Sequence, residues 1–314
     1  MSDLRGLSIR QLRALSATAR LGSITAAAKA LHVTPPAISI QLKLLSKQAG
    51  GEVLERSAGG FEPTALGAEI LEAANEMDGL LDRLSDRINA LHAGAVGLLR
   101  LGVVSTGKYF APRIVAGFQR AHPGIVVKLV IGNRGEILAG LRQRNFDLCI
   151  MGRPPEDVPL VREELGDHPH VLIAPPDHQL AGRRDIAHAE LQQETFLARE
   201  EGSGTRMLMS RFLDRVGGER PVQLVDMGTN ETIKQAVMAG LGIAIISAHT
   251  CAAELAEGKL VALDARGTPI VRQWYIIHRA DHELSVAAQH FQSFAAAHKN
   301  THFPEGFGGM NRSE

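Results

Sequence analysis

The stretch Gly22-Ser-Ile-Thr-Ala-Ala-Ala-Lys-Ala-Leu-His-Val-Thr-Pro-Pro-Ala-Ile-Ser39 predicts two helices joined by a tight turn. Alanine dominates its first half, and small side chains let two helices approach closely at a steep angle, as a helix-turn-helix requires. Thr34 can cap the second helix, whose first turn holds two prolines where a missing N–H costs little. Another kind of small helical bundle would show the same periodicity, so the pattern alone leaves both structures open.

The residues on either side continue the helical pattern. Before the stretch, Ser8 can cap a helix in which apolar residues recur with the 3.6-residue period. After it, the helix over 34–47 places Ile38, Leu42 and Leu45 on an inner face. The outer face of this helix carries Pro35, Ser39, Ile40 and Lys43.

Charge is distributed unevenly along a chain of 314 residues, in which 34 basic and 34 acidic residues cancel. Up to Leu66 there are eight basic and four acidic residues, so this part carries a net charge of +4 and the remainder −4. A positive excess confined to one segment favours a nucleic-acid-binding module joined to a different domain. The length predicts about two domains, and 45% apolar residues suffice for a core in each, which excludes a disordered or fibrous protein.

The quoted stretch resembles the signature of the LysR-type transcriptional regulators. The similarity continues through Arg56 and covers nearly the whole chain. It implies an all-α winged helix-turn-helix head over 7–66, with the helix-turn-helix at about 24–43. It further implies that helix 34–47 enters the major groove of promoter DNA and that segment 53–63 forms the wing over the DNA backbone.

The family pattern implies roles for individual positions of the head. Ser39 matches a position that contacts base edges and Lys43 one that contacts phosphates, while Ile40 can pack on a thymine methyl. Pro35 stands where the family usually has glutamine, and Gly59 where the wing usually carries a basic residue. Both departures are expected to weaken DNA binding or to change its sequence preference, and neither threatens the fold. The residues predicted to contact DNA are Thr34, Pro35, Ser39, Ile40, Lys43 and Arg56.

The segment 67–92 is predicted to be a long linker helix. Its apolar residues form two rows with a seven-residue repeat: Ile70, Met77, Leu84 and Leu91, and Ala74, Leu81 and Ile88. Such a heptad stripe is typical of a coiled coil, and the family places a linker helix here, so we expect a homodimer or homotetramer. A helix packed on its own domain is the alternative, because three heptads are near the minimum for a coiled coil.

Strands and helices alternate over 96–299, after a glycine and alanine hinge at 92–97. Two βαβ-type halves of this kind predict two α/β lobes joined by crossing strands. The resemblance implies the same two-lobed fold, similar to periplasmic binding proteins, with an effector-binding cleft. We expect lobe I at about 96–167 and 269–299, and lobe II at about 168–268.

Polar residues recur where these strands end and helices begin, which is where backbone N–H groups converge on anions. One such cluster is more typical of a helix cap than of a ligand contact. Five clusters from both lobes, with lysine or arginine among them, predict a cleft for a carboxylate or phosphate. The predicted effector-binding residues are Ser105, Thr106, Lys108, Asn133, Arg134, Arg153, Ser203, Thr205, Arg206 and Asn230.

Four further stretches are similar to the regulators of Calvin-cycle (RuBisCO) operons, a subgroup of the LysR family: 103–112, 151–155, 170–176 and 230–240. Gly107 departs from the alanine expected there. The resemblance implies control of carbon-fixation or central carbon metabolism genes through RNA polymerase. It also implies a small anionic effector, such as a phosphorylated sugar or acid (ribulose bisphosphate or phosphoenolpyruvate) or NADPH, with no other cofactor. We expect the effector to close the cleft and to alter DNA bending.

Enzymatic motifs are missing from the sequence. We find no His-Glu-x-x-His helix, no Gly-x-Ser-x-Gly elbow and no phosphate loop ending in Gly-Lys-Ser/Thr. The alternative to a regulator is a cytoplasmic small-molecule-binding or enzymatic α/β protein with a helical head that does not bind DNA. His168-Pro-His170, before a strand predicted near 170–175, is expected to be a solvated loop and not a metal site, because no second ligand pair is nearby.

The remaining features concern compartment and termini. No signal segment follows Met1 and no apolar run approaches the length of a membrane span, so a cytoplasmic protein without membrane contact is expected. Cys149 lies in an apolar strand and is expected to be buried and inert, whereas Cys251 is less clearly buried. The glycine-rich tail over 300–314 is expected to be disordered.

Overall fold

A computed structural model describes residues 6–57, 59–92, 95–217, 222–299 and 303 of the chain. The chain forms two compact units, Met1–Arg87 and Ile88–Glu314. Apart from Phe303, the tail predicted to be disordered lies outside the described residues.

The first unit is a helical head with one β-hairpin. Its elements are α1 (Ile9–Leu21), α2 (Ile24–Ala30), α3 (Pro35–Ala49), β1 (Leu54–Ser57), β2 (Gly60–Pro63) and the start of α4 (Ala65–His92). The Ser8 side chain caps α1 by accepting a hydrogen bond from the Gln11 backbone N–H, as predicted. Thr34 occupies the N-cap position of α3, but its side chain makes no capping hydrogen bond, so here the prediction is wrong. The fixed backbone angles of Pro35 and Pro36 start this helix instead.

The core of the head is formed by the inner faces of its helices. Ile38, Leu42 and Leu45 of α3 are buried there, as their spacing predicts. Ile70 and Ala74 of α4 pack into the same core. The N-terminal part of the heptad stripe therefore stabilises the head itself, and only the part that follows is free for a partner.

Gly67, in the first turn of α4, lies directly against the backbone of Val53. A Cβ atom at Gly67 would lie 1.8 Å from the Val53 carbonyl oxygen. We therefore expect Gly67→Ala to destabilise the head by about 3 kcal/mol, the upper range for overpacking, in denaturant unfolding followed by circular dichroism. Gly59→Ala is the matched control, since a Cβ there meets its nearest neighbours at 3.8 Å. Equal destabilisation by both substitutions would contradict the prediction.

The second unit alternates strands and helices. In chain order the elements are β3 (Gly97–Val104), α5 (Ala111–Ala121), β4 (Ile125–Gly132), α6 (Arg134–Arg142), β5 (Leu148–Met151), β6 (Leu160–Ala174), α7 (His188–Leu191), β7 (Thr195–Ala198), α8 (Gly204–Val216), β8 (Gln223–Asp226), α9 (Asn230–Met238), β9 (Ala244–Ser247), α10 (Ala252–Ala256), β10 (Val261–Leu263), β11 (Ile270–Arg279) and α11 (Val286–Ala297). Short 3₁₀ turns lie at Ser105–Tyr109 and Ala248–Thr250.

The main sheet has seven strands and serves both lobes. Six of them lie in the order β10-β6-β11-β5-β3-β4, and β9 also pairs with β6. In lobe I, β3 runs parallel to β4 and β5, and the core packs around Phe110, Phe118 and Trp274. In lobe II a separate core packs around Phe196 and Phe212. The predicted fold class, a helical head followed by a two-lobed α/β domain, is confirmed.

Strands β6 and β11 cross between the lobes as an antiparallel pair. The pairing runs from Ile270 opposite His170 to Arg279 opposite Leu160. The sequence predicted a strand only near 170–175, because the preceding residues are polar and show no alternation. His168 and His170 therefore lie in a strand, with 6% and 3% of their surfaces exposed, and the prediction of a solvated loop is wrong.

Both cysteines are fully buried. Burial was predicted for Cys149, whereas the sequence around Cys251 indicated it less clearly. Burial raises the pKa of both thiols, which keeps them protonated and unreactive at neutral pH. Within the described part of the chain, no helix is both long enough and apolar enough to span a membrane.

Candidate functional site

The exposed face of α3 displays the residues predicted to contact DNA. Thr34, Pro35, Ser39 and Lys43 are exposed, and 57% of the Ile40 surface is accessible. The Ser39 hydroxyl donates a hydrogen bond to the Pro35 carbonyl oxygen at 3.1 Å, which leaves the oxygen of Ser39 free to accept another bond. This surface is compatible with apolar and hydrogen-bonded contacts to base edges, and DNA contact by these residues stays a prediction.

The hairpin β1–β2 carries the sixth predicted residue, Arg56. Its guanidinium carbon lies 5.4 Å from the centre of the Phe61 ring, directly across the hairpin. This cation–π contact orients an exposed arginine, with its N–H groups available to a phosphate.

An open cavity of about 410 Å³ lies between the lobes of the second unit, within the usual range for small-molecule sites. Six of the ten predicted effector-binding residues line this cavity: Ser105, Thr106, Arg134, Arg153, Ser203 and Thr205. They come from the ends of β3 and β5 and from the N-termini of α6 and α8. Sequence clusters that are far apart in the chain are thus brought to one place.

The other four predicted residues do not line the cavity. Their side chains are used by partners within the protein: Lys108 pairs with Glu231 at 2.6 Å, Asn133 caps α6, Arg206 pairs with Asp226, and Asn230 accepts a hydrogen bond from Arg199. These side chains thus have a structural use within the protein, as a helix cap, in an ion pair or as a hydrogen-bond acceptor, and their use as ligand contacts stays a prediction. A local sequence cluster does not distinguish the two.

The crossing strands add cavity residues that the sequence analysis missed. Arg162 and His168 come from β6, and Arg272 and Tyr275 from β11. Arg272 lies opposite His168 in the strand register, although the two are far apart in the chain. No local motif marks these residues, because only the long-range pairing of β6 with β11 brings them to the cavity.

The cavity is strongly cationic. Among the described residues, its lining contains one acidic residue, Glu156, and five arginines: Arg134, Arg153, Arg162, Arg211 and Arg272. Burial is the main cause that lowers the pKa of Arg134, and repulsion by nearby Arg153 and Arg142 lowers it further. An anion in the cavity would relieve this repulsion and bind several guanidinium groups.

Three lining side chains have a buried polar atom without a hydrogen-bond partner among the described residues: Arg134 Nε, His168 Nε2 and Gln273 Oε1. Buried polar atoms are nearly always paired in folded proteins. Among the described residues, no group of three or more His, Cys, Asp or Glu side chains is arranged to hold a metal ion.

Three buried histidines lie together: His168 and His170 line the cavity, and His249 packs beside His168. Burial lowers the pKa of His170 and of His249 to about 4 and the pKa of His168 well below its ordinary value. All three are therefore neutral at pH 7. The positive charge of the cavity comes from its arginines.

Two family models match the chain. The model described as "Bacterial regulatory helix-turn-helix protein, lysR family" matches residues 9–68. The model described as "LysR substrate binding domain" matches residues 92–300.

Three known proteins illustrate the similarity, two of them over nearly the full length of the chain. The HTH-type transcriptional regulator CbbR of Rhizobium meliloti is 46% identical over 305 residues, which is 96% of each chain. The RuBisCO operon transcriptional regulator of Allochromatium vinosum is 41% identical over 288 residues, which is 92% of this chain and 95% of that protein. The structure of the Synechocystis CcmR regulatory domain in complex with 2-PG is 38% identical, with a TM-score of 0.62, and covers 65% of this chain and 98% of that one.

Proposed function

This chain belongs to the LysR family of bacterial transcriptional regulators, and from that premise we propose that it controls genes of carbon fixation in response to a phosphorylated metabolite. The observation that supports a phosphorylated effector is the group of five arginines lining one cavity. The names of its relatives support control of carbon-fixation genes, because a RuBisCO operon regulator is 41% identical to this chain. The alternative of an enzyme with an incidental helical head is not supported, since the relatives are regulators with a DNA-binding domain.

We assign the DNA-binding role to residues 7–66 and effector binding to residues 96–299. In the head, Ser39, Ile40 and Lys43 contact the major groove and Arg56 the phosphate backbone. Recruitment of RNA polymerase belongs to the same proposal. LysR-family regulators form oligomers, and we assign the contact to residues 67–92 of the linker helix as a homodimer or a homotetramer. Five of its large apolar side chains beyond the head core are exposed, Met77, Leu80, Leu84, Ile88 and Leu91, and Leu81 is half-buried.

The cavity binds its effector from both lobes. Arg134 and Arg153 of lobe I and Arg211 of lobe II neutralise the charge. Ser203 and Thr205 lie at the N-terminus of α8, where backbone N–H groups and the helix dipole favour an anion. Because the effector contacts both lobes, it binds the closed arrangement more tightly than an open one and shifts the population towards closure.

Arg134→Met tests this proposal in the full-length protein. Titration calorimetry would use 2-phosphoglycolate, phosphoenolpyruvate, ribulose 1,5-bisphosphate and NADPH as probes. We expect wild-type protein to bind at least one phosphorylated probe, and Arg134→Met to lower that affinity by about 10- to 100-fold through loss of charge-assisted hydrogen bonds. Promoter DNA binding without effector should stay unchanged, since the substitution lies outside the head.

Arg183→Met is the matched control, because Arg183 pairs with Glu190 on the surface and does not line the cavity. It should bind the probe as wild type does. A wild-type protein that binds none of the probes, or an Arg134→Met variant with unchanged affinity, would contradict the proposed effector site.

A further inference from the structure

Lobe I and lobe II meet in a polar cluster formed by Lys108, Tyr109 and Glu231. Lys108 and Tyr109 belong to the 3₁₀ turn after β3 in lobe I, and Glu231 lies in the first turn of α9 in lobe II. Lys108 Nζ lies 2.6 Å from Glu231 Oε1, and the Tyr109 hydroxyl donates a hydrogen bond to the same oxygen. One carboxylate of lobe II is thus bound by two side chains of lobe I.

The ring of Tyr109 makes a further contact with lobe II. Lys234, one turn after Glu231 on α9, is buried, and its Nζ lies 5.2 Å from the centre of the Tyr109 ring. The same ammonium group pairs with Glu254 of lobe II at 2.6 Å, which keeps it in place. A cation at this distance from an aromatic ring is attracted to it. Tyr109 therefore binds α9 through both its hydroxyl and its ring.

The charges of the cluster suit these bonds. Burial acts to raise the pKa of the Glu231 carboxyl, but the bonds from Lys108 and Tyr109 outweigh it and lower the pKa to about 2. Burial and the bond to Glu231 raise the pKa of the Tyr109 hydroxyl, which therefore keeps its proton. At neutral pH an ionised carboxylate thus accepts from one cation and one neutral donor, and such charge-assisted hydrogen bonds are stronger than neutral ones.

A buried arginine provides a second contact between the lobes. Arg199 follows β7 in lobe II and is buried. Its guanidinium donates one hydrogen bond to Ser105 Oγ of lobe I at 3.2 Å and another to Asn230 Oδ1 of lobe II. Ser105 lines the cavity and shares its 3₁₀ turn with Lys108. The contacts between the lobes therefore extend from the cavity to the cluster around Glu231.

We propose that Lys108, Tyr109 and Glu231 form a latch that holds the two lobes together before any ligand enters the cavity. The chain crosses between the lobes along β6 and β11, and two lobes joined in this way can move as hinged bodies. The latch joins them at a separate place. It sets the fraction of protein in the closed arrangement, and therefore the apparent affinity for any ligand that needs both lobes.

The separation of the lobes can be measured in full-length protein without ligand. Single-molecule fluorescence energy transfer would use dyes at Gln119→Cys on α5 and Asp214→Cys on α8, two exposed positions, while both native cysteines are buried. Mixing doubly labelled chains with an excess of unlabelled chains gives oligomers with one labelled chain. We expect wild type to show one dominant population, the closed arrangement.

Charge reversal within the latch should separate the lobes. Glu231→Lys places two cations together, so we expect the ratio of separated to closed molecules to rise by about 10-fold or more. Lys108→Glu should have a similar effect. The exchange variant, Lys108→Glu with Glu231→Lys, restores opposite charges and should return the ratio to within about 3-fold of wild type, because the two positions act as a pair.

Two further variants complete the experiment. Tyr109→Phe keeps the ring but removes the hydroxyl, and we expect it to raise the same ratio by about 3-fold through loss of one hydrogen bond. Glu257→Lys is the matched control, because Glu257 pairs with Lys259 at 2.7 Å inside lobe II. Its distribution of lobe separations should match wild type.

Three outcomes would overturn the latch. They are a wild-type protein without a dominant population, a folded Glu231→Lys or Lys108→Glu variant with the wild-type distribution, and an exchange variant that stays as separated as the single variants. Circular dichroism checks that each variant is folded. Since no ligand is present, these outcomes leave the proposed effector site standing, and the calorimetry of Arg134→Met tests that site separately.

Discussion

Lys43→Glu should lower the affinity for promoter DNA by about two to three orders of magnitude at moderate salt. Lys43 is exposed on α3, among the residues we assign to the DNA. Each head would lose one phosphate contact and place a carboxylate near the backbone, so a dimer changes by four charges. Phosphate contacts dominate affinity for DNA and set its salt dependence. The negative slope of log K against log salt should therefore become shallower by about 2 per dimer.

Fluorescence anisotropy with a labelled promoter fragment that wild type binds, recorded over a series of salt concentrations, measures both effects. Lys259→Glu is the matched control, since it makes the same charge change at an exposed position of the second unit, where Lys259 pairs with Glu257. Its affinity and salt slope should match wild type. If the Lys43→Glu variant had the same salt slope as wild type, Lys43 would not contact a DNA phosphate.

Leu84→Asp should dissociate the oligomer and, with it, weaken promoter binding by about 10²- to 10⁴-fold, the usual gain from joining two binding modules. Leu84 is 54% exposed within a single chain, and Met77 and Leu91 of the same row are also exposed. In the proposed coiled coil this position is buried against a second copy, where a carboxylate is costly. The head should remain folded, because Leu84 is not part of its core.

Sedimentation velocity over a range of protein concentrations measures the dissociation directly. Ser85→Asp is the matched control, since it introduces the same charge at the next, exposed position of α4. It should leave the oligomer intact. A Leu84→Asp variant that sediments like wild type at every concentration would show that the oligomer forms through another surface.

The head was predictable because its signals are local. The cap at Ser8, the two prolines at the start of α3 and the spacing of Ile38, Leu42 and Leu45 each act within one or two turns of helix. Local signals are less informative about packing between elements. They did not show that the first heptad of α4 serves the head core.

The cavity was predictable only in part, because local sequence signals mark some of its residues and long-range strand pairing places the others. Ser105, Arg134 and Ser203 lie where strands end or helices begin, and sequence patterns mark such positions. Asn133 and Asn230 fit the same pattern but are used inside the protein, Asn133 as the cap of α6 and Asn230 as the acceptor of a hydrogen bond from Arg199. The contributions of β6 and β11 depend on a pairing between residues about one hundred positions apart, which no local pattern encodes.

The antiparallel pairing of β6 with β11 also bears on how such receptors diversify. The chain leaves lobe I along β6 and returns along β11, and the two strands are hydrogen-bonded neighbours where they cross. The whole of lobe II is thus an insertion whose two ends lie side by side, the arrangement in which one module can be exchanged for another with little disturbance of its host. Half of the binding cavity can therefore evolve as a replaceable cassette while the half attached to the linker helix stays constant.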